Sequence, residues 1–177
     1  MNAVALELLE RIDRDGAIDG DLIKVDRFLN HMVDPLLLSK LGKELYRRFA
    51  HCNVDKIITA ESSGIVIAHS LALCFGVPFI FAKKKPPKTM GEYYSASSYS
   101  FTKQESTKLY VAQEVLPPQQ HLLFADDFYA FGSTYQAIQQ IIDQAGAFLV
   151  GAAVIINKSD RRDIEAILTM ENLSSNE

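Results

Sequence analysis

From Ala3 to Arg14, Val4, Leu8, Leu9 and Ile12 recur on one face, the pattern of an amphipathic helix. Gly16 and Gly20 break it. Asp21 to Phe28, with Leu22, Ile23, Val25 and Phe28, reads as a short extended piece, and Leu29 to Met32 as a loop. Asp34-Pro35 marks a second helix start, with Asp34 as the cap and Pro35 at the first position. That helix runs to about Phe49, with Leu37, Leu38, Leu41, Leu45 and Phe49 inward. The pattern then changes. Lys56–Ala60, Pro78–Ala82, Leu122–Ala125 and Phe148–Ile156 are short apolar runs that predict strands. In Leu122–Ala125 four apolar residues follow one another without alternation, as in a strand buried on both faces of a parallel sheet. Helices are predicted from Ile65 to Phe75, ended by Gly76, and from about Thr134 to Gln144, before Gly146. Asp163 to Met170 reads as a final short helix.

Lys83 to Tyr94 is polar, basic and proline-bearing, with no period. Loops this long inside a domain tend to be lids or binding loops. Beyond it, Ser95–Thr102 and Lys108–Gln113 predict two strands around Lys103-Gln-Glu-Ser, and Pro117-Pro118 ends the excursion. The order strand, helix, strand, loop with hairpin, strand, helix, strand predicts an α/β fold. It is a doubly wound, mostly parallel sheet flanked by helices, with a flap.

Length and charge narrow the function. A chain of 177 residues suits one domain with a proper core. A net charge of −4 argues against general nucleic-acid attraction, so any anion site must be local. No helix-turn-helix pattern precedes the domain, which argues against a self-contained repressor. Cys52 and Cys74 form no spaced motif and read as reduced thiols of a cytoplasmic protein. The N-terminus lacks a basic lead-in, so no secretory signal is expected. No apolar run approaches the ~20 residues needed to cross a bilayer, so no membrane partner is expected either.

His121 to Thr134 concentrates the chemistry. Asp126-Asp127 is expected at the carboxyl end of a buried strand, where ligands of open α/β sheets bind. Ala130, Phe131, Gly132, Ser133 and Thr134 then form a tight turn into a helix, with free N–H groups and two hydroxyls that suit a phosphate. One half of the stretch is anionic and the other half wants an anion. A sugar phosphate satisfies both, its hydroxyls on the carboxylates and its phosphate on the turn. Glu61-Ser62-Ser63-Gly64 is a second strand-to-helix turn, in which either serine also suits a helix cap. Lys83 and Lys84 follow a strand and point to opposite sides, so at most one need face the site. Tyr93, Tyr94, Tyr99 and Phe101 read as hairpin packing. Asn30 and His31 read as a turn, and Lys158 as a charge leaving a buried strand.

The hydrophobic-hydrophobic-Asp-Asp run and its turn resemble the phosphoribosyl-pyrophosphate (PRPP) signature of type I phosphoribosyltransferases. Lys24–Leu38, Ile58–Ile65, Gly76–Lys84, Ser98–Gln104 and Gln144–Ala147 are similar to the bacterial xanthine phosphoribosyltransferase family. The similarity covers about residues 8 to 160, and its most specific segments are Phe-Leu-Asn-His and Tyr-Ser-Phe-Thr-Lys-Gln. It implies one phosphoribosyltransferase domain: a small N-terminal hood (1–33), a core (34–158) and a flexible flap (85–105). It implies transfer of 5-phosphoribosyl from PRPP to a 6-oxo purine, xanthine first and guanine or hypoxanthine as alternatives, by a cytoplasmic homodimer. Asp126 and Asp127 would be catalytic. Ala130 to Thr134 would hold the 5′-phosphate. Glu61, Ser62, Ser63, Gly64 and Lys83 or Lys84 would hold pyrophosphate. Ile23, Asn30 and Lys158 would contact the base. Mg²⁺ would enter with PRPP, with Asp126 and Asp127 reaching it only through water. The chain departs from the family at Phe131, where Asn or a small hydroxyl residue is usual, and at Lys83-Lys84, where Arg-Lys is common. After Lys158 no late strand covering the base is recognisable. A non-catalytic PRPP-binding regulatory homologue is the competing expectation.

Overall fold

The computed structural model describes residues 1–19, 22–100 and 105–174. Helix α1 (Ala3–Asp15) is capped by Asn2, whose Oδ1 accepts from Ala5 N at 2.9 Å, and it buries Ala5, Leu8, Leu9 and Ile12. Strands β1 (Ala17–Asp19) and β2 (Leu22–Lys24) pair antiparallel. The extended piece expected over residues 21–28 is only β2, for Asp26–Asn30 wind into a π-helical turn. A strand would send Phe28 and Leu29 to opposite faces. The wide turn instead buries both in one apolar cluster with α1. Helix α2 (Pro35–Phe49) begins as expected: Asp34 Oδ1 accepts from the N–H groups of Leu36 and Leu37 at 3.0 and 3.2 Å.

Next come β3 (Lys56–Ala60), α3 (Gly64–Phe75) and β4 (Phe79–Ala82). The hairpin strands β5 (Tyr93–Ser100) and β6 (Glu105–Ala112) follow, the first starting two residues before the expected Ser95. The tip of this hairpin, with Phe101 and the end of the Tyr-Ser-Phe-Thr-Lys-Gln segment, lies outside the described residues. Then come β7 (His121–Tyr129), α4 (Ser133–Ala145), β8 (Phe148–Asn157), β9 (Ile164–Thr169) and α5 (Met170–Ser174).

Two further differences bear on the site. Asp163–Met170 is not a helix: Ile164–Thr169 is a strand parallel to β8, paired from Ala152↔Ile164 to Asn157↔Thr169. The second half of β8, from Ala152 to Asn157, is buried, and a buried strand edge without a partner would leave backbone groups unsatisfied. That tertiary demand outweighs the local helical pattern. Strand β7 also runs four residues past Ala125. Its carboxylates ride inside the ladder with β8, where Asp126 opposes Val154 and Phe128 opposes Ile156.

The sheet order is β4-β3-β7-β8-β9, and every neighbouring pair is parallel. From β3 the chain steps outward to β4, then returns to lay β7 on the other side of β3. The order therefore reverses between β3 and β7, and a crevice opens at the carboxyl ends of such a pair. Ladder pairing of the two ends at Ile58↔Phe124, so β7 parts from β3 just before its carboxylates. Helices α1, α2 and α3 with the N-terminal turn cover one face. Helix α4 and the β5–β6 hairpin cover the other. The hairpin base is tied at two points. Lys83 and Tyr110 exchange backbone hydrogen bonds of 2.9 Å, and the Gln144 side chain pairs with Ser95 N and O at 3.2 and 2.9 Å. Among the described residues no helix is long and apolar enough to cross a membrane.

Candidate active site

The crevice is a cleft of about 400 Å³. Asp126, Asp127, Ala130, Phe131, Gly132, Ser133 and Thr134 line it from β7 and the turn after it, and Glu61, Ser62, Ser63 and Lys84 line it from the β3 side. Gly64 stands just behind. A Cβ there would collide with the Thr59 hydroxyl and come within 2.7 Å of Asp126 Oδ1. Only glycine lets α3 start so close to the carboxylate.

Gly132 has a second reason to be glycine. Its φ is +75°, and a Cβ would collide with the hydroxyl of Tyr129 beneath the turn. Helix α4 starts at the next residue. The N–H groups of its first turn have no carbonyl one turn back to accept them, and they carry the positive end of the helix dipole. Helix α3 presents a second such end beside Ser62 and Ser63. Ser63 occupies the cap position yet makes no side-chain cap bond; its Oγ donates to Asp127 Oδ1 at 3.0 Å. Glu61 Oε1 accepts from Lys84 N at 2.6 Å and so fixes the start of the lysine segment against β3.

The two carboxylates are unlike. Asp127 is 6 % exposed, and both of its oxygens accept hydrogen bonds. Oδ1 accepts from Ser63 Oγ and Phe128 N, each at 3.0 Å, and Oδ2 accepts from Asn30 Nδ2 at 3.0 Å. Asp126 is half-buried at the cleft wall, and its Oδ1 accepts from Asp127 N at 2.9 Å. Lost hydration pushes its carboxyl well above the usual range, and the adjacent Asp127 pushes the same way. A cation arriving in the cleft would favour its ionised form.

Besides Gly64, four of the candidate site residues lie outside the cleft lining. Lys83 lies beside a second groove, its ammonium 5.7 Å from the centre of the Phe81 ring. Ile23 is buried in the N-terminal apolar cluster. Asn30 is in the π-helical turn and reaches Asp127 across the sheet end. Lys158 follows β8, and its ammonium lies 5.6 Å from the centre of the Phe128 ring. Phe128, which the sequence did not single out, packs against the same cluster as Ile23. The Asp127–Phe128 segment is thus met by Ser63 of the turn after β3, by Asn30 and by Lys158. Ser98, Thr107 and Leu109 of the hairpin and Tyr135 of α4 also line the cleft. The hairpin residues carry no local signal, because pairing of β5 with β6 brings them there. Phe131 lines the cleft and is 66 % exposed.

Among the described residues no group of three or more His, Cys, Asp and Glu could hold a metal ion. Magnesium asks less of a protein, since it keeps several waters and takes one or two carboxylates besides substrate phosphates. Asp126 and Asp127 at the cleft wall meet that demand.

The fold is that of the adenine phosphoribosyltransferases. The enzyme from Thermoanaerobacter pseudethanolicus superposes with a TM-score of 0.76 at 18 % identity, over 91 % of this chain and 99 % of that one. The enzyme from Rhodothermus marinus superposes with a TM-score of 0.74 at 21 % identity, over 95 % and 99 %. No protein-family model matches the chain. In sequence it is 45 % identical over 165 residues to a xanthine phosphoribosyltransferase of Moorella thermoacetica, covering 92 % of this chain and 84 % of the relative. It is 41 % identical over 157 residues to one of Heliobacterium modesticaldum, covering 88 % and 84 %. The chain belongs to the xanthine phosphoribosyltransferase family.

Proposed function

We propose that the chain transfers the 5-phosphoribosyl group of PRPP to xanthine, forming XMP and releasing pyrophosphate. The observation that carries this reading is the convergence of the Ala130–Thr134 turn, the Asp126-Asp127 pair and the Glu61–Gly64 turn on one cleft at the switch point of the sheet. In this reading the α4 amides with Ser133 and Thr134 bind the 5′-phosphate. Ser62, Ser63, the first amides of α3 and Lys84 bind pyrophosphate. Glu61, itself an anion, acts by holding the Lys84 segment in place. Lys83 belongs to the hairpin base.

The ribose then lies along Asp126-Asp127. As the C1–oxygen bond to pyrophosphate breaks, positive charge grows on the sugar, and preorganised carboxylates offset it. Asp126 and Asp127 would hold Mg²⁺ through water, and the ion would supply charge neutralisation of the pyrophosphate. A purine nitrogen attacks C1 from the Phe128 side, and its proton leaves to water. Ile23 and Phe128 flank the base, and Asn30 and Lys158 contact its polar edge. A lysine ammonium only donates, so it favours an oxo purine over an amino one. Residues 1–33 serve as a hood over the base, residues 34–158 as the core, and residues 85–105 as a flap that excludes water, the competing nucleophile. The enzyme works in the cytoplasm as a homodimer.

With PRPP and Mg²⁺, the purified protein should release pyrophosphate and form XMP when xanthine is added, followed by nucleotide absorbance and a pyrophosphate assay. Guanine and hypoxanthine should react more slowly, and adenine should not react. No pyrophosphate release with any of the four bases would overturn the reading.

A further inference from the structure

Arg161 lies in the turn after β8, and its contacts lead into the anion-binding turn. Its Nη1 donates to the Tyr129 hydroxyl at 3.0 Å. The guanidinium lies over the Tyr129 and Tyr135 rings, 5.7 and 5.4 Å from their centres. Asp163 holds the other side of the fork, with Nε at 3.0 Å from Oδ1 and Nη2 on Oδ2. Buried Asn157 shapes the turn that presents the arginine. Its Nδ2 donates to Arg161 O at 2.8 Å, and its Oδ1 accepts from Ser159 N and Oγ at 2.9 and 2.8 Å.

Both tyrosines line the cleft, and Tyr129 carries the turn directly. A Cβ on Gly132 would sit 2.8 Å from its ring carbon Cζ. The phenol is therefore packed against the one turn residue with a left-handed backbone. The turn itself, Ala130-Phe-Gly-Ser-Thr134, contains no cation. Arg161 places one a single side chain behind it. Because Arg161 donates to the phenol oxygen, the phenol's own hydrogen points elsewhere, and a charged donor on that oxygen strengthens it as a donor.

We propose that Arg161 is a positioning residue for the 5′-phosphate: through Tyr129 it braces Gly132 and lends positive charge to a turn of neutral donors. The role rests on the phosphoribosyl reading of the cleft. Ribose 5-phosphate and pyrophosphate, titrated separately by calorimetry, distinguish it from general support of the fold. Arg161→Ala should weaken ribose 5-phosphate about tenfold and pyrophosphate less than about twofold, since one charge-assisted bond is lost on one side of the cleft only. Arg161→Lys should recover part of the loss, keeping the charge without the planar fork. Tyr129→Phe should match Arg161→Ala, and the double variant should be no weaker than either single one, because the two act in series. In turnover, KM for PRPP should rise while kcat holds. Equal weakening of both ligands, or ribose 5-phosphate bound as tightly as by wild type, would overturn the role of Arg161 alone. Should Arg161→Ala fail to fold, Arg161→Lys and Tyr129→Phe carry the same test. Wild-type protein that binds neither ligand would overturn the phosphoribosyl reading and this role with it.

Discussion

Asp127→Asn should lower phosphoribosyl transfer about 100- to 1,000-fold, the usual loss when one preorganised partner of transition-state charge is removed. The fold should survive. Asparagine keeps the oxygen that accepts from Ser63 Oγ and Phe128 N. Its new NH₂ group faces the Asn30 amide, which can turn to offer its oxygen instead. One exchanged hydrogen bond costs about 1 kcal/mol. Asp126→Asn should cause a similar loss of turnover with the opposite effect on stability. The folded protein holds the Asp126 carboxyl well above its ordinary value of 3.8. As pH rises past that value the unfolded chain ionises first, so the folded state loses stability until pH passes the raised value. Asparagine removes the loss. Ligand-free Asp126→Asn should therefore melt higher than wild type at neutral pH and equally at pH 3. Turnover unchanged in both variants would take the carboxylates out of the mechanism.

The second large effect is expected from a single methyl group. Gly64→Ala drives a Cβ into the Thr59 hydroxyl and to 2.7 Å from Asp126 Oδ1. The Thr59 hydroxyl is buried and has no hydrogen-bond partner among the described residues, so it holds its place by packing alone and can yield. Overpacking of this kind costs about 1–3 kcal/mol. The larger consequence is displacement of Asp126, since a shift of about 1 Å in a catalytic group can cost about a hundredfold in rate. Adding Thr59→Ala should restore stability more than activity, because the contact with Asp126 remains. Full activity in Gly64→Ala would mean that Asp126 does not need its observed position.

Legibility in the sequence followed the range of the forces involved. Helices α1 and α2 are readable because their stripes and side-chain caps are local, with Asp34 capping α2 as its side chain alone predicts, and α3 and α4 because a glycine ends each. The turn after β7 was readable for the same reason: glycine and hydroxyls mark it within five residues. Strand β9 was not, because Ile164–Thr169 is extended only by its partnership with β8. The same neighbour carries β7 past Ala125, so the carboxylates lie inside a strand that sequence ends before them. Asn30 read by itself was a turn residue, and its bond to Asp127 spans 97 positions. Ser63 read as a cap, yet its hydroxyl turns to the carboxylate. Such long-range polar contacts leave no periodic trace. The resemblance, rather than the pattern, drew attention to Asn30, and neither pointed to Tyr129 or Arg161.

The measurement that bears most directly on the site is a crystal structure of the protein with PRPP and Mg²⁺ and without base. The 5′-phosphate should lie on the Ala130–Thr134 amides, the ribose hydroxyls on Asp126 and Asp127, and the pyrophosphate between the Glu61–Gly64 turn and Lys84. PRPP bound away from this cleft, or with its pyrophosphate on the Ala130–Thr134 turn, would contradict the account.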